Sequence, residues 1–186
     1  YTLKTDDGDI NTKTIIIATG AKPRRLGLES EALYWGHGVS ACAVCDGFFY
    51  RGREVLVVGG GDSACEEATF LTKFASKVTL IHRRDSLRAS KVMADRAIAN
   101  EKIDIQWNSV LKEVIGNKDD GVTGVVLEDS NTGETRELPM DGVFLAIGHI
   151  PNTSPFKDLI DLDEEGYVIL EEGSTKTSAK GVFAAG

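Results

Sequence analysis

Two cysteines three residues apart are the side chains in this sequence most able to do chemistry. Cys42-Ala-Val-Cys45 can form a redox disulfide, supply half of a zinc site, or hold two buried thiols. Zinc is disfavoured, and no metal site is predicted, because the third cysteine, Cys65, has no paired Cys or His motif to complete four ligands. Cys65 itself is expected to lie on the buried face of a helix.

Asp46 follows the second cysteine directly and has two possible roles. Thiol exchange needs a proton for the leaving sulfur, so an adjacent carboxylate can serve as acid or base. The same residue type also caps helices, which leaves a structural role open. Cys42, Cys45 and Asp46 are therefore the candidate catalytic residues.

A glycine-rich motif lies between a predicted strand and a predicted helix. In a dinucleotide fingerprint the first glycine permits a tight turn, the second lets the pyrophosphate approach, and the small third residue lets helix and strand pack. The N–H groups at the start of the helix would bind the phosphates. An ordinary tight turn is the alternative. The candidate cofactor-binding residues of this motif are Gly59, Gly60, Gly61, Asp62, Ser63 and Ala64.

A basic cluster, His82-Arg83-Arg84 with Arg88, follows the next predicted strand. An acidic residue at this point accepts from the ribose 2′-hydroxyl, whereas arginine accommodates a 2′-phosphate. Because the cluster stands out in a chain of net charge −8, it favours NADPH over NADH. The alternative is a solvated helix start capped by Asp85, with His82 as a surface histidine.

Two glutamates follow the glycine motif on the same predicted helix. Glu66 could contact the nicotinamide amide or complement the helix dipole. For Glu67 the dipole role is favoured.

The elements that must position these residues alternate between strand and helix. Short β-branched runs predict buried strands, and apolar residues at helical spacing predict helices between them, as in a βαβ unit. The fold class is therefore α/β, with a parallel sheet into which an antiparallel meander is inserted. The predicted strands span residues 13–18, 54–58, 77–81, 103–107, 110–114, 122–127, 135–138, 143–147, 166–170 and 181–184. The predicted helices span residues 62–75 and 86–100, and residues 26–37 form a predicted polar segment.

Composition excludes several classes of protein. The chain has 186 residues, of which 41% are hydrophobic and 27% charged, as in a globular protein rather than a disordered one. The net negative charge argues against nucleic-acid binding, and no apolar run approaches the roughly 20 residues that span a membrane. Three cysteines and the lack of a signal-like start predict a cytoplasmic protein. The chain begins at Tyr1 and stops after a predicted strand, so both ends are expected to be cut.

Four motifs in the same order carry a family resemblance: Ser40-Ala-Cys-Ala-Val-Cys-Asp-Gly47, the Gly59–Ala64 loop, His82-Arg-Arg-Asp85 with Arg88-Ala-Ser90, and Ala146-Ile-Gly-His-Ile-Pro-Asn152. Together they resemble the low-molecular-weight thioredoxin reductases over nearly the whole chain. The resemblance implies a Rossmann-like, three-layer NADPH-binding domain at residues 24–150, inserted in a partial FAD-binding domain. Residues 1–23 and 151–186 would be the two pieces of that FAD domain.

The family resemblance also implies an electron path and residue roles. NADPH reduces a bound FAD, the flavin reduces the disulfide, and the dithiol reduces thioredoxin or a thioredoxin-like protein. Cys45 would face the flavin, Cys42 would attack the partner, and Asp46 would donate the proton. The further cofactor-binding residues implied are Thr19, Gly20, Ile147 and Gly148. The full-length protein is expected to be a homodimer, with one domain rotating on hinges near residues 20–23 and 148–152.

Two other functions remain open at this stage. The flavoprotein subunit of an alkyl hydroperoxide reductase resembles the same core and adds an N-terminal thioredoxin-like region. The chain by itself could instead be an NADPH-binding module without turnover, because a dithiol does not accept a hydride efficiently without a flavin.

Overall fold

The computed structural model describes residues 1–186 and divides into two compact units. The first consists of residues 1–22 with 149–186, and the second of residues 23–148. The assignment of a cofactor to each unit stays a prediction. The strands are β1 (Thr2–Thr5), β2 (Gly8–Asn11), β3 (Ile15–Ile17), β4 (Ala21–Pro23), β5 (Val39–Ser40), β6 (Glu54–Gly59), β7 (Lys77–Ile81), β8 (Ile103–Gln106), β9 (Ser109–Asn117), β10 (Gly121–Asp129), β11 (Thr135–Pro139), β12 (Gly142–Ala146), β13 (His149–Pro151) and β14 (Val182–Ala184). The helices are α1 (Glu29–Leu33), α2 (Ala43–Asp46), α3 (Asp62–Leu71) and α4 (Lys91–Ile98), with 3₁₀ turns at Gly47–Tyr50 and Ser154–Phe156.

A five-stranded parallel sheet forms the centre of the second unit. Its strand order is β5-β12-β6-β7-β8, and every neighbouring pair is parallel. A strand that is covered on both faces has a continuous apolar sequence. Residues 55–58 of β6 are such a run, and all four are buried. Because α3 connects β6 to its neighbour β7, these elements form the predicted βαβ unit.

The two faces of this sheet are covered by different elements. Val55 and Val57 face a core shared with the helices, which includes Ala64, Ala68 and Leu71 of α3. Leu56 and Val58 face a second core that includes Val125 and Leu127 of β10. The unit therefore has three layers: helices, parallel sheet and meander. The predicted α/β fold class is confirmed.

The meander differs from the prediction in its location. β9, β10 and β11 form a separate antiparallel sheet in the order β11-β10-β9, and none of them pairs with the parallel sheet. The prediction that the meander is inserted within the parallel sheet was wrong. Its apolar residues cover one face of that sheet, a role that the local sequence pattern does not distinguish from membership in it.

The second predicted helix, residues 86–100, was wrong at its start. Only residues 91–98 are helical, and residues 86–90 form a loop. The N–H groups of Arg88 and Ala89 donate to the Gly60 carbonyl at 2.7 and 3.1 Å, which holds this segment against the glycine loop. α3 likewise ends at Leu71 rather than at residue 75.

A short helix, α1, lies in the segment predicted to be polar, for which no helix was predicted. The Glu31 carboxylate is almost fully buried and accepts from the Gly27 N–H at 2.9 Å, while the Arg25 guanidinium forms an ion pair with it. Arg25 also stacks on Trp35. Because these contacts between polar side chains stabilise α1, the helix can form without apolar residues at helical spacing.

The first unit contains three two-stranded sheets, β1 with β2, β3 with β14, and β4 with β13. Its core is formed by Ile17, Ile160, Val182 and Ala184. The predicted strand at residues 166–170 is absent, with only a single bridge between Leu162 and Val168 in that region. None of the helices has both the length and the apolar character needed to cross a membrane.

Candidate redox and nucleotide site

The candidate residues of the second unit lie along one edge of the parallel sheet. Parallel strands bring their carboxyl ends to the same edge, which is where α/β sheets usually bind ligands. Cys42 follows β5, the glycine motif follows β6, and the basic cluster follows β7. Ile147 and Gly148 follow β12, which lies between β5 and β6. The topology therefore brings together motifs that are separated by up to about a hundred residues in sequence.

Cys42 and Cys45 form a disulfide at the start of the short helix α2. Cys42 is half-buried, whereas Cys45 is exposed. The Cys45 N–H donates to the Cys42 Sγ at 3.2 Å, so the sulfur of Cys42 caps the helix. The pair is thus oxidised, and at least one of its two residues is open to solvent, as an exchanging disulfide requires.

Ser40 holds the segment that carries the disulfide. Its hydroxyl donates to the Asp46 Oδ2 at 2.6 Å and accepts from the Cys42 N–H at 3.0 Å. Ser40 is buried at 7% exposure, at the end of β5. The Asp46 carboxylate is therefore fixed beside the disulfide by a neighbour that also binds the backbone of the first cysteine.

The glycine loop is tightly packed at two residues and open at the third. A Cβ on Gly59 would overlap Ala64 and the Ala146 carbonyl, and a Cβ on Gly60 would overlap the His82 imidazole. A Cβ on Gly61 would meet nothing within 4 Å, and α3 begins immediately after this residue. The open glycine thus lies at the helix N-terminus, where a phosphate would need to approach the backbone.

The basic loop after β7 is fastened to the same helix. Asp62 Oδ1, at the first position of α3, accepts from the Ser90 N–H at 2.7 Å and from the Ser90 hydroxyl at 2.9 Å. Arg83, Arg84 and Arg88 are exposed, and none of them forms an ion pair. This arrangement leaves three guanidinium groups free beside the glycine loop to bind an anion.

Comparison with known proteins identifies the family. The model of the pyridine nucleotide-disulphide oxidoreductase family matches residues 1–186. The chain belongs to this family. Its pairing of a disulfide with a glycine loop fits both halves of the family's description.

The chain is similar to bacterial thioredoxin reductases. It is 53% identical to that of Streptomyces clavuligerus, over 94% of this chain and 53% of the relative. It is 51% identical to that of Coxiella burnetii, over all of this chain and 60% of the relative. The chain spans a little over half the length of the curated relatives it matches.

Solved structures agree with this result. The crystal structure of thioredoxin reductase from Streptococcus pyogenes has a TM-score of 0.83 at 50% identity, covering 98% of this chain and 59% of that chain. Lactococcus lactis thioredoxin reductase, in a structure titled as the FR conformation, has a TM-score of 0.85 at 44% identity, covering all of this chain and 60% of that chain. The predicted resemblance is confirmed.

Several predicted residues have surroundings that the sequence does not reveal. His82 is buried beneath Gly60 rather than on the surface, and its Nε2 has no hydrogen-bond partner. Burial, with a smaller effect of the neighbouring arginines, lowers the pKa of this imidazole. No helix begins at Asp85, so the capping alternative for the basic cluster was wrong. Ser63 is exposed and Ala64 fully buried.

In the first unit, Thr19 and Gly20 are bound to Asn152. The Thr19 hydroxyl donates to the Asn152 carbonyl at 2.8 Å, and the Asn152 N–H donates to the Gly20 carbonyl at 2.9 Å. Gly20 has a φ of +64°, a conformation that favours glycine. Their role in binding a cofactor stays a prediction.

The predictions for Cys65, Glu66 and Glu67 differ in outcome. Cys65 is a free, fully buried thiol on α3, as expected, and no three His, Cys, Asp or Glu side chains come together as metal ligands. Glu66 is exposed, whereas Glu67 is partly buried and its carboxyl lies near the Ala43 backbone of α2. The dipole role of Glu67 stays a prediction. Burial raises the pKa of Glu67 to about 7.

The sequence pattern indicates neither the role of Ser40 nor a cleft that Ser40 and Asp46 help to line. The cleft has a volume of about 500 Å³ and is lined in part by Ser40, Asp46, Tyr50 and Arg53. Burial, and then the Asp46 charge, raises the pKa of Tyr50. Ser40 stands in the motif around the cysteines, but no local pattern shows that its hydroxyl joins Asp46 to the Cys42 backbone.

Proposed function

We propose that this chain is the nucleotide- and disulfide-bearing part of an NADPH-dependent flavoprotein disulfide reductase that reduces thioredoxin or a thioredoxin-like protein. The observation that carries the proposal is the sheet edge on which the Cys42–Cys45 disulfide, an open glycine loop and three unpaired arginines occur together. The similarity to bacterial thioredoxin reductases supports it.

The glycine loop and the basic loop fit NADPH. Gly61 leaves the helix N-terminus open to a pyrophosphate, and the guanidinium groups of Arg83, Arg84 and Arg88 would bind the 2′-phosphate. The unpartnered Nε2 of His82 can donate or accept at the same loop. When bound, NADPH supplies the hydride of the reaction. Glu66, exposed on α3, is assigned to the nicotinamide side of this site, together with Ile147 and Gly148 after β12.

FAD is proposed for the full-length protein, with Thr19 and Gly20 of the first unit contributing to its site. The flavin supplies the conversion of hydride transfer into thiol chemistry. We also infer a homodimer and a cytoplasmic location for that protein. These inferences come from the family resemblance and the free Cys65.

The residues around the disulfide have distinct proposed roles in exchange. Reduction adds two electrons, which break the S–S bond, and two protons are needed to give two thiols. We assign Asp46, whose carboxylate accepts a hydrogen bond from Ser40, to supply one of them. Cys42 is assigned as the sulfur that attacks the partner and Cys45 as the flavin-facing sulfur. Three exposed apolar side chains beside the pair, Val44, Phe48 and Phe49, form a surface suited to a protein partner.

Nucleotide binding to this chain tests the cofactor assignment. Arg83→Ala should raise the Kd for NADPH by roughly ten- to a hundredfold, because it removes a charge-assisted contact of about 1.5–3 kcal/mol. The Kd for NADH should change much less. Calorimetric titration of both nucleotides measures the difference, with Arg96→Ala, an exposed arginine of α4, as the matched control. Equal effects of the two variants on NADPH would show that the 2′-phosphate assignment is wrong.

The dithiol assignment is tested in the full-length flavoprotein. Cys42→Ser and Cys45→Ser should each abolish NADPH-driven reduction of thioredoxin, because a single sulfur cannot re-form the disulfide. Cys65→Ser should retain the activity, since this thiol is buried away from the exchanging pair. Thioredoxin reduction by either of the first two variants would contradict the proposal.

A further inference from the structure

Glu67 is a partly buried acid to which the proposed chemistry assigns no role. It lies on α3, the helix that begins at the open glycine loop. Its Oε2 is buried and has no hydrogen-bond partner. A buried carboxyl oxygen without a partner is costly in free energy when the group is charged, so such a group tends to keep its proton.

The Glu67 carboxyl faces the helix that carries the disulfide. α2 packs on α3 through Ala43, which is buried in the same core as Ala64 and Ala68. The Ala43 backbone amide lies close enough to the Glu67 carboxyl to lower its pKa. Ala43 directly follows Cys42 in sequence. An ionisable group of the nucleotide-binding helix thus lies against the backbone between the two cysteines.

The charges around Glu67 leave it free to titrate near neutral pH. Burial raises its pKa to about 7, the Ala43 amide opposes that rise, and the Glu66 charge adds to it. On α2 the charged side chain is Asp46, which is bound to Ser40. β6, β7 and β12 line this core with apolar side chains. The titratable groups that remain are Tyr50 of the 3₁₀ turn and Cys65 of α3, and burial raises the pKa of both, so both are neutral near pH 7. The charged residues of α4 are exposed, namely Lys91, Asp95 and Arg96.

We propose that Glu67 is a positioning residue for the Cys42–Cys45 dithiol, and that its protonation is coupled to the redox state of that pair. The proposal rests on the proposed function because it takes this disulfide to be one that is reduced and re-formed. Two electrons break the S–S bond, from reduced flavin in the proposed reaction and from dithiothreitol in the test below. Two protons complete two thiols, and only one is taken up where a sulfur remains a thiolate.

The coupling follows from the repulsion of like charges. A thiolate at Cys42 would be one residue away from Ala43, whose backbone amide adjoins the Glu67 carboxyl, so the two negative charges disfavour each other. Glu67 therefore holds its proton more tightly once a thiolate has formed. Above neutral pH, where Glu67 becomes charged, the thiolate forms less readily than it would beside a neutral side chain.

Thiol reactivity of the reduced chain tests this coupling. After reduction with dithiothreitol and its removal, alkylation of Cys42 and Cys45 by iodoacetamide is followed by peptide mass spectrometry. At pH 6, where Glu67 is mostly protonated, Glu67→Gln should react at the same rate as the unmodified chain. At pH 8 the variant should react roughly threefold faster, because it carries no charge beside the thiolate. Glu101→Gln, the same change at an exposed residue, should give the same rate ratio at both pH values.

A rate ratio for Glu67→Gln that is equal at pH 6 and pH 8 would overturn the proposal. A second measurement needs no variant: in the pH range where the reduced pair forms its thiolate, the ¹³C NMR signal of the Glu67 carboxyl should show more protonation in the reduced chain than in the oxidised chain. Identical titration curves over that range would also overturn it. Neither measurement uses thioredoxin or NADPH. Both results can therefore be interpreted even if the proposed protein partner or the proposed cofactor is wrong.

Discussion

At the scale of single residues, the disulfide depends on a hydroxyl that the motif does not reveal. The sequence predicts that Cys42 and Cys45 can pair and that Asp46 can serve as an acid. It does not show which group orients that acid, because the Ser40 contact depends on how the chain turns from β5 into α2. The side-chain chemistry was therefore predictable, whereas the hydrogen bonds that fix it were not.

Ser40→Ala should destabilise the oxidised chain by about 1.5 kcal/mol. The substitution leaves the Asp46 carboxylate without a charged hydrogen bond and the Cys42 N–H without its acceptor. Urea unfolding of the oxidised chain measures the change, with the exposed Ser76→Ala as control. A loss no larger than that of the control would show that the Ser40 contacts contribute nothing net to stability.

At the scale of elements, apolar periodicity predicted the strands of the parallel sheet but not the start of α4. The segment before α4 has a helical pattern, yet its N–H groups bind Gly60 and Asp62 instead of forming helical turns. These acceptors come from a different part of the sequence, so local propensity carries no information about them. The arginines are consequently presented from a loop fixed to the start of α3.

Asp62→Ala should weaken NADPH binding roughly fivefold, with a smaller effect on NADH. The substitution removes the acceptor that fastens Ser90, so the loop that carries the arginines becomes less ordered. Loss of a negative charge would by itself strengthen the binding of an anion, so weaker binding identifies the loop as the cause. Calorimetric titration measures both affinities.

Asp95→Ala provides the matched control for this change, since Asp95 is an exposed aspartate on α4. It removes the same charge without releasing Ser90. Equal or stronger NADPH binding by Asp62→Ala would show that Asp62 does not order the basic loop.

At the scale of the whole molecule, the fold class and the family were predictable because several motifs occur in a fixed order along the chain. The separation of the meander into its own sheet was not, because antiparallel alternation is the same in either sheet. The charge distribution is a further property of the whole chain. A net charge of −8 repels anions in general, and the basic loop attracts them locally.

Salt concentration should therefore change the affinity for NADPH more than the affinity for NADH. Between about 0.01 M and about 1 M NaCl the Debye length falls from about 30 Å to about 3 Å, which screens both the general repulsion and the local attraction. The Kd for NADPH should rise roughly tenfold because its 2′-phosphate depends on the arginines, whereas the Kd for NADH should change little. Titrations at both salt concentrations measure this, and parallel changes in the two Kd values would contradict the prediction.

The contact between Gly60 and His82 has a consequence for how this sequence can vary. Because the imidazole fills the space that a Cβ at position 60 would need, the two positions share one volume. Any side chain gained at position 60 must be matched by one lost at position 82. Across related sequences the two positions should therefore covary, and Gly60→Ala should be tolerated better together with His82→Gly than alone.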